Sequence, residues 1–145
     1  MAASGRILLV EDSPGECELF RRALEKAEFA GHLSMVPDTI SALKVLEAAA
    51  ETGIGALPSL IVLDLKLASQ NGPTLLPRIR QDSRFAHLPV VMLTTSDAPH
   101  DMQTCYEAGA NGYVVKPATF TELASLVNDL CRFWLIWNQT RTPVV

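Results

Sequence analysis

Four polar clusters in this sequence each stand directly behind a short apolar run. Glu11-Asp12 follows Ile7-Leu8-Leu9-Val10, Asp64 follows Leu60-Ile61-Val62-Leu63, Thr94-Thr95-Ser96 follows Val90-Val91-Met92-Leu93, and Lys116 follows Gly112-Tyr113-Val114-Val115. Singly, each is ordinary turn or capping chemistry. Together they make a constellation. Three carboxylates held a few ångströms apart raise one another's pKa unless a cation compensates them. Mg2+ suits that task, because it takes one or two protein carboxylates and completes its shell with water and phosphate oxygens. Lys116 adds a fixed positive charge and Thr94 a hydroxyl donor. A carboxylate so surrounded is a site for a phosphoryl group in transfer, and an Asp carboxylate is an established nucleophile for one. The chemistry implied is Mg2+-dependent formation of an aspartyl phosphate on Asp64.

The clusters can meet only if the apolar runs are neighbouring strands. Ser13 is placed to cap a first helix, with Pro14 in its first turn and Glu16 three residues on, as in a capping box; Leu19, Phe20, Ala23, Leu24 and Ala27 then recur at helical spacing. A weaker strand covers Leu33 to Val36. Asp38 or Thr39 opens a second helix carrying Ile40, Leu43, Val45 and Leu46. Pro73 starts a short helix to about Ile79, a fourth runs from about Pro99 to Ala108 before Gly109, and Thr119 or Thr121 opens a last helix that can reach Trp137. Continuous apolar strands alternating with helices predict a parallel sheet covered on both faces. Right-handed crossovers then give an α/β, doubly wound, five-stranded sheet of flavodoxin-like order 2-1-3-4-5. In such a sheet ligands bind outside the carboxyl ends of the strands, which is where the four clusters fall.

Composition narrows the class further. A chain of 145 residues suits one domain, and 48% hydrophobic residues supply a sizeable core. A formal net charge of −4 and the lack of any basic run argue against nucleic-acid or anionic-membrane partners. Cys17, Cys105 and Cys131 are far apart and form no C-x-x-C pair, which reads as reduced thiols in a cytoplasmic protein. No apolar run approaches the roughly 20 residues of a membrane span. No signal core precedes Arg6, and no output domain is expected after the fifth helix.

The segments ILLVEDSP, LIVLDLKL, GPTLL, LPVVMLTTSD and AGANGYVVKP, in that order and spacing, closely resemble the response-regulator receiver family, from about residue 6 to 131. The resemblance implies Asp64 as phosphoacceptor, with Glu11 and Asp12 as the acidic pair and Asp12 the direct Mg2+ ligand. It implies the backbone carbonyl of Lys66 as a further ligand. Thr94 becomes the switch hydroxyl, Lys116 the phosphoryl contact, and Tyr113 the aromatic switch whose ring turns inward on activation. It also implies a cis Lys116–Pro117 bond. A histidine kinase is then the donor, with a histidine phosphotransfer protein as a further partner, and the surface of the fourth helix, fifth strand and fifth helix is the one that switches.

There are departures. Many members have Pro at Ala68 and Asp at Asn71. Lys66 and Ser96 occupy positions that tune dephosphorylation in the family, although a solvent-facing Lys66 is an equal reading. Thr95 stands where a small residue is common. The long Glu51–Ser59 segment and the Phe133-Trp134-Leu135-Ile136-Trp137 tail resemble the phytochrome-associated single-domain response regulators, which makes a bacteriophytochrome a candidate kinase. The chain thus divides into a receiver, 1–131, and an aromatic extension, 132–145. An exposed aromatic tail marks an interface, so Phe133, Trp134 and Trp137 point to a homodimer; the alternative is a tail folded back on its own domain. A pseudo-receiver that binds partners without phosphorylation is the competing function, and such proteins usually lose one of the acidic, acceptor or Lys positions that this chain keeps.

Overall fold

The computed structural model of the chain describes residues 2–67 and 71–141. Strands β1 (Arg6–Val10), β2 (His32–Val36), β3 (Leu60–Leu63), β4 (Val90–Thr94) and β5 (Gly112–Val115) alternate with helices α1 (Pro14–Lys26), α2 (Thr39–Thr52), α3 (Leu75–Arg80), α4 (Pro99–Ala108) and α5 (Phe120–Cys131). All neighbouring strands are parallel, in the order β2-β1-β3-β4-β5. The doubly wound sheet read from the sequence is the one observed.

The apolar runs explain the layering. Successive side chains of a strand point to opposite faces, so each run feeds two cores. Leu8, Val10, Ile61, Leu63 and Met92 pack against Ala42 and Leu46 of α2 and Leu76 and Ile79 of α3. Ile7, Leu9, Val62, Val91 and Leu93 pack against Phe20 and Leu24 of α1 and Leu123 and Val127 of α5. β3 and β4 are buried at every position, as is β1 after Arg6. The edge strands β2 and β5 are only partly covered.

Local chemistry sets the helix ends. The side chains of Ser13, Asp38 and Thr119 each accept the backbone N–H three residues on, at Glu16, Ser41 and Glu122, which satisfies donors that a helix start otherwise strands. Gly109, in the left-handed region at φ +114, ends α4; the N–H groups of Gly109 and Ala110 return to the carbonyls of Tyr106 and Cys105.

Several expectations are corrected. Ile40 is 55% exposed, and Ala42 supplies the packing instead, because Thr39 and Ala42 turn inward one helical step away. The segment from Gly72 to Thr74 is a tight 3-10 turn, so α3 proper begins at Leu75. A second such turn, Ile54–Ala56, occupies the long connection after α2. The last helix does not run on regularly to Trp137: Arg132–Trp137 widens into π-type turns, with the Asn138 N–H donating to the Phe133 carbonyl at 2.6 Å. That widening seats Trp134, Leu135 and Ile136 on the α1–α5 core, while Phe133 and Trp137 remain 53% and 67% exposed. Every peptide bond among the described residues is trans, Lys116–Pro117 included. Trans is the cheaper isomer even before proline; on the other side of the residue, the Lys116 N–H donates to the Thr94 carbonyl at 2.7 Å. Ala68, Ser69 and Gln70 of the departing loop lie outside the described residues.

Candidate functional site

The polar groups converge at the carboxyl ends of β1, β3, β4 and β5. β1 delivers Glu11, whose N–H donates to the Val36 carbonyl at 2.9 Å, and β3 delivers Asp64, whose N–H donates to the Val10 carbonyl at 3.1 Å. The sheet ladder thus fixes both residues one step beyond their strands. Carboxylate oxygens of Glu11, Asp12 and Asp64 all lie within 4.8 Å of one another. Glu11 is 5% exposed, whereas Asp12 and Asp64 are half-buried. One Asp64 oxygen accepts the Leu65 N–H at 2.8 Å.

The loop beyond Asp64 closes on itself. Lys66 bridges to Asn71, and the Gly72 N–H donates to the Leu65 carbonyl at 2.9 Å. A Cβ on Gly72 would sit 1.8 Å from the Asp64 carbonyl oxygen, so only glycine permits this approach. Gly72→Ala is therefore expected to push the chain away from the Asp64 carbonyl and to destabilise the protein by about 1–3 kcal/mol. Thermal denaturation checks this; an unchanged melting temperature would contradict the close approach. Lys66 is exposed, in line with the solvent-facing reading.

Lys116 reaches in from the end of β5. Its Nζ lies 3.3 Å from Glu11 Oε1 and 3.5 Å from Glu16 Oε2. Burial disfavours its charge, but Asp64, Glu11 and Glu16 outweigh burial and hold its pKa above the ordinary lysine range. Glu11 shows the other side of this balance. Burial, then the adjoining Asp64 carboxyl, push it up to about 7, with Lys116 pulling in the opposite direction. Three clustered carboxyls thus exceed what one ammonium can neutralise. The donor set is hard oxygen throughout, which fits a small divalent cation.

Thr94 is 4% exposed, and its Oγ1 accepts the Ser96 N–H at 3.3 Å. Ser96 also receives the Tyr113 hydroxyl on its carbonyl, at 3.0 Å. Tyr113 is half-buried against the α2–α4 core, and burial raises its pKa. Thr95 is exposed and lines a cavity beside Glu16 and Lys116. Sequence reasoning missed two participants. Glu16 was legible only as a cap, yet its side chain turns to Lys116; its position one turn into a helix that starts behind the acidic pair was the available signal. Asp101, in the first turn of α4, accepts a hydrogen bond from the Ser96 hydroxyl on Oδ2 at 2.6 Å. The three cysteines are free thiols: Cys131 is pushed up to about 11 by burial, and Cys17 and Cys105 are raised chiefly for the same reason.

Residues 7–128 match the response regulator receiver domain family. The chain belongs to that family. Among relatives, it is 36% identical over 137 residues to the probable methanogenesis regulatory protein FilR2 of Methanothrix harundinacea, covering 94% of this chain and 88% of that one. Among solved structures, it resembles the phosphorylated cyanobacterial phytochrome response regulator RcpA, with a TM-score of 0.85 and 30% identity over 97% of this receiver and all (100%) of that chain. It also resembles the Mn2+-bound form of response regulator Rcp1, a protein of Synechocystis, with a TM-score of 0.81 and 31% identity over 95% and 99% of the two chains. The receiver is a two-component signalling protein with phytochrome-associated relatives. No helix among its described residues is long and apolar enough to cross a membrane.

Proposed function

We propose that this receiver accepts a phosphoryl group from a histidine kinase onto Asp64, in a Mg2+-dependent reaction, and switches the α4–β5–α5 surface in response. The observation that carries the proposal is the convergence of Glu11, Asp12 and Asp64 within 4.8 Å, with Lys116 Nζ at their edge. An acidic trio beside a lysine has no purpose in stabilising a fold, since the unneutralised carboxyls repel. Asp12, Asp64 and the Lys66 carbonyl would hold Mg2+, with Glu11 behind them. When bound, the ion neutralises charge on the acceptor and on the incoming phosphoryl oxygens.

The protein's own groups do the rest. The Leu65 N–H holds one Asp64 oxygen, and the other attacks phosphorus as the N–P bond of the phosphohistidine breaks and the imidazole leaves. Lys116 stabilises the phosphoryl oxygens. Thr94 turns its hydroxyl to the new phosphate, and Tyr113 moves into the vacated space. Water reverses the state by hydrolysing the acyl phosphate. A bacteriophytochrome is the proposed kinase, by analogy with the phytochrome-associated relatives, and a histidine phosphotransfer protein is a further exchange partner. Acetyl phosphate with Mg2+ tests the reading by intact mass: a Mg2+-dependent phosphoryl adduct is expected, and no adduct would overturn it.

Glu11 adds a pH signature. Its folded pKa, about 7 against 4.5, is raised, so its contribution to stability is fully present below 4.5 and is lost as pH rises through 7. Metal-free protein should therefore lose thermal stability from this group across that window, and Mg2+ should restore it. Mg2+ binding must also release a proton below pH 7. Calorimetry at pH 6 in buffers of different ionisation heat should detect that release, and at pH 8 should not; equal values at both would contradict the assignment.

Phe133 and Trp137, with Trp134 behind them, extend the α5 end of the switch surface as an exposed aromatic pair. We assign residues 132–145 to a homodimer contact on that basis. Sizing of wild type and Trp137→Ala across protein concentration should give a dimer that the substitution weakens; a monomer throughout would sink the assignment.

A further inference from the structure

Ser96 is the point where the β4–α4 loop is tied down. Its N–H donates to Thr94 Oγ1 at 3.3 Å. Its carbonyl accepts the Tyr113 hydroxyl at 3.0 Å. Its own hydroxyl donates to Asp101 Oδ2 at 2.6 Å and accepts the Ala98 N–H at 3.3 Å. One residue therefore links the candidate switch hydroxyl on β4, the aromatic ring on β5 and the first turn of α4. The short bond to Asp101 is the charge-assisted one of the set, and such bonds are roughly twice as strong as neutral ones. Asp101 sits where a carboxylate also meets the favourable end of the helix dipole, so it is held firmly on α4.

Resting on the phosphorylation reading above, we propose that Asp101 is a positioning residue: through Ser96 it clamps the β4–α4 loop in the arrangement that holds Thr94 Oγ1 against the Ser96 N–H. When Thr94 turns to a phosphoryl group on Asp64, its Oγ1 shifts against the Ser96 N–H and disturbs that 3.3 Å contact. With Ser96 free, the loop follows that movement at little cost. With Ser96 anchored to α4, the loop must give up or distort a charge-assisted bond as well. The same anchor transmits the change, because displacing Ser96 pulls at Asp101 and at Tyr113 together. Asp101 thus sets how far the unphosphorylated protein leans toward its resting state, and couples α4 to the chemistry at the acceptor.

A purely structural role predicts something different. Ser96 and Asp101 also tie the Ala98 N–H to the first turn of α4, so loss of either lowers thermal stability whichever reading holds, and stability alone decides nothing. The test is beryllofluoride binding with Mg2+, as a stand-in for the phosphoryl group, in wild type, Asp101→Asn, Ser96→Ala and the double variant. Release of the clamp should tighten binding about tenfold, the scale of one charge-assisted hydrogen bond. Ser96→Ala removes the bond and Asp101→Asn strips it of its charge, so the double variant should gain no more than Ser96→Ala alone. Fluorotyrosine NMR on the protein without beryllofluoride should show the Tyr113 signal moving toward its bound-state position in each variant. Unchanged affinity, or additive effects, or a Tyr113 signal that stays in place while the variants lose only thermal stability, would overturn the clamp. Failure of wild type to bind beryllofluoride would overturn the phosphorylation reading itself, which is a separate result. Asp101→Asn keeps the side-chain shape, so the comparison survives if a smaller side chain there unfolds α4.

Discussion

Asp64→Asn is expected to abolish the Mg2+-dependent phosphoryl adduct while leaving the fold intact. The amide oxygen can still accept the Leu65 N–H, held at 2.8 Å in the native chain, so the loop that closes through Gly72 keeps its shape. The substitution removes the nucleophilic carboxylate and one of three crowded negative charges. Two further effects follow from the geometry. Asp64 raises the Glu11 pKa, second only to burial, so the Glu11 carboxyl should titrate closer to its ordinary range. Asp64 also supports the charge on Lys116, whose pKa should fall. Metal-free protein should be at least as heat-stable as wild type, since a repulsion has gone. Intact mass after acetyl phosphate, with a melting curve on the same samples, checks both parts. An adduct of undiminished yield would place the acceptor elsewhere.

Lys116→Gln carries the second large effect, and it separates binding from chemistry. Lys116 is the ammonium against the carboxyl cluster, 3.3 Å from Glu11 and 3.5 Å from Glu16. Removing a preorganised charge from a reacting centre costs on the order of a hundredfold in rate, so phosphorylation should slow by about that factor. The pull that Lys116 exerts on Glu11 also vanishes, and the Glu11 pKa should climb further above 7. Mg2+ binding at pH 8 should survive, because the oxygen ligands are untouched and a competing cation is gone. Acetyl-phosphate kinetics and Mg2+ titration by calorimetry check the two halves. Loss of Mg2+ binding with retained phosphorylation would reverse the roles given to these residues.

Much of this site was legible in the sequence, for a definite reason. Ile7–Val10, Leu60–Leu63 and Val90–Leu93 are apolar at every position because both faces of their strands are buried. Where such a run stops, the chain leaves the sheet, and the next polar residue sits at its rim. Glu11, Asp64 and Thr94 follow from that rule, and Lys116 stands in the same position behind the apolar but only partly covered β5. Residues whose role depends on rotamer and approach were hidden. Glu16 and Asp101 lie in first turns of helices, where acidic residues are common as caps, and only the packed structure directs them to Lys116 and Ser96. The tail was half legible. Its aromatic composition raised the expectation of a contact surface, but periodicity could not foretell the wide turn that half-buries Trp134 and leaves Phe133 and Trp137 outward. Ile40 misled for a similar reason: apolar content alone does not say which side of α2 faces the sheet.

Chemical trapping of the phosphorylated residue tests the central claim most directly. Borohydride reduces an aspartyl phosphate to homoserine, and peptide mass spectrometry then reads the position at which the change occurred. Wild type treated with acetyl phosphate and Mg2+ should carry homoserine at position 64 and at no other acidic position. Reduction at Glu11, Asp12 or elsewhere, or no reduction product in protein that had acquired phosphate, would contradict Asp64 as the acceptor.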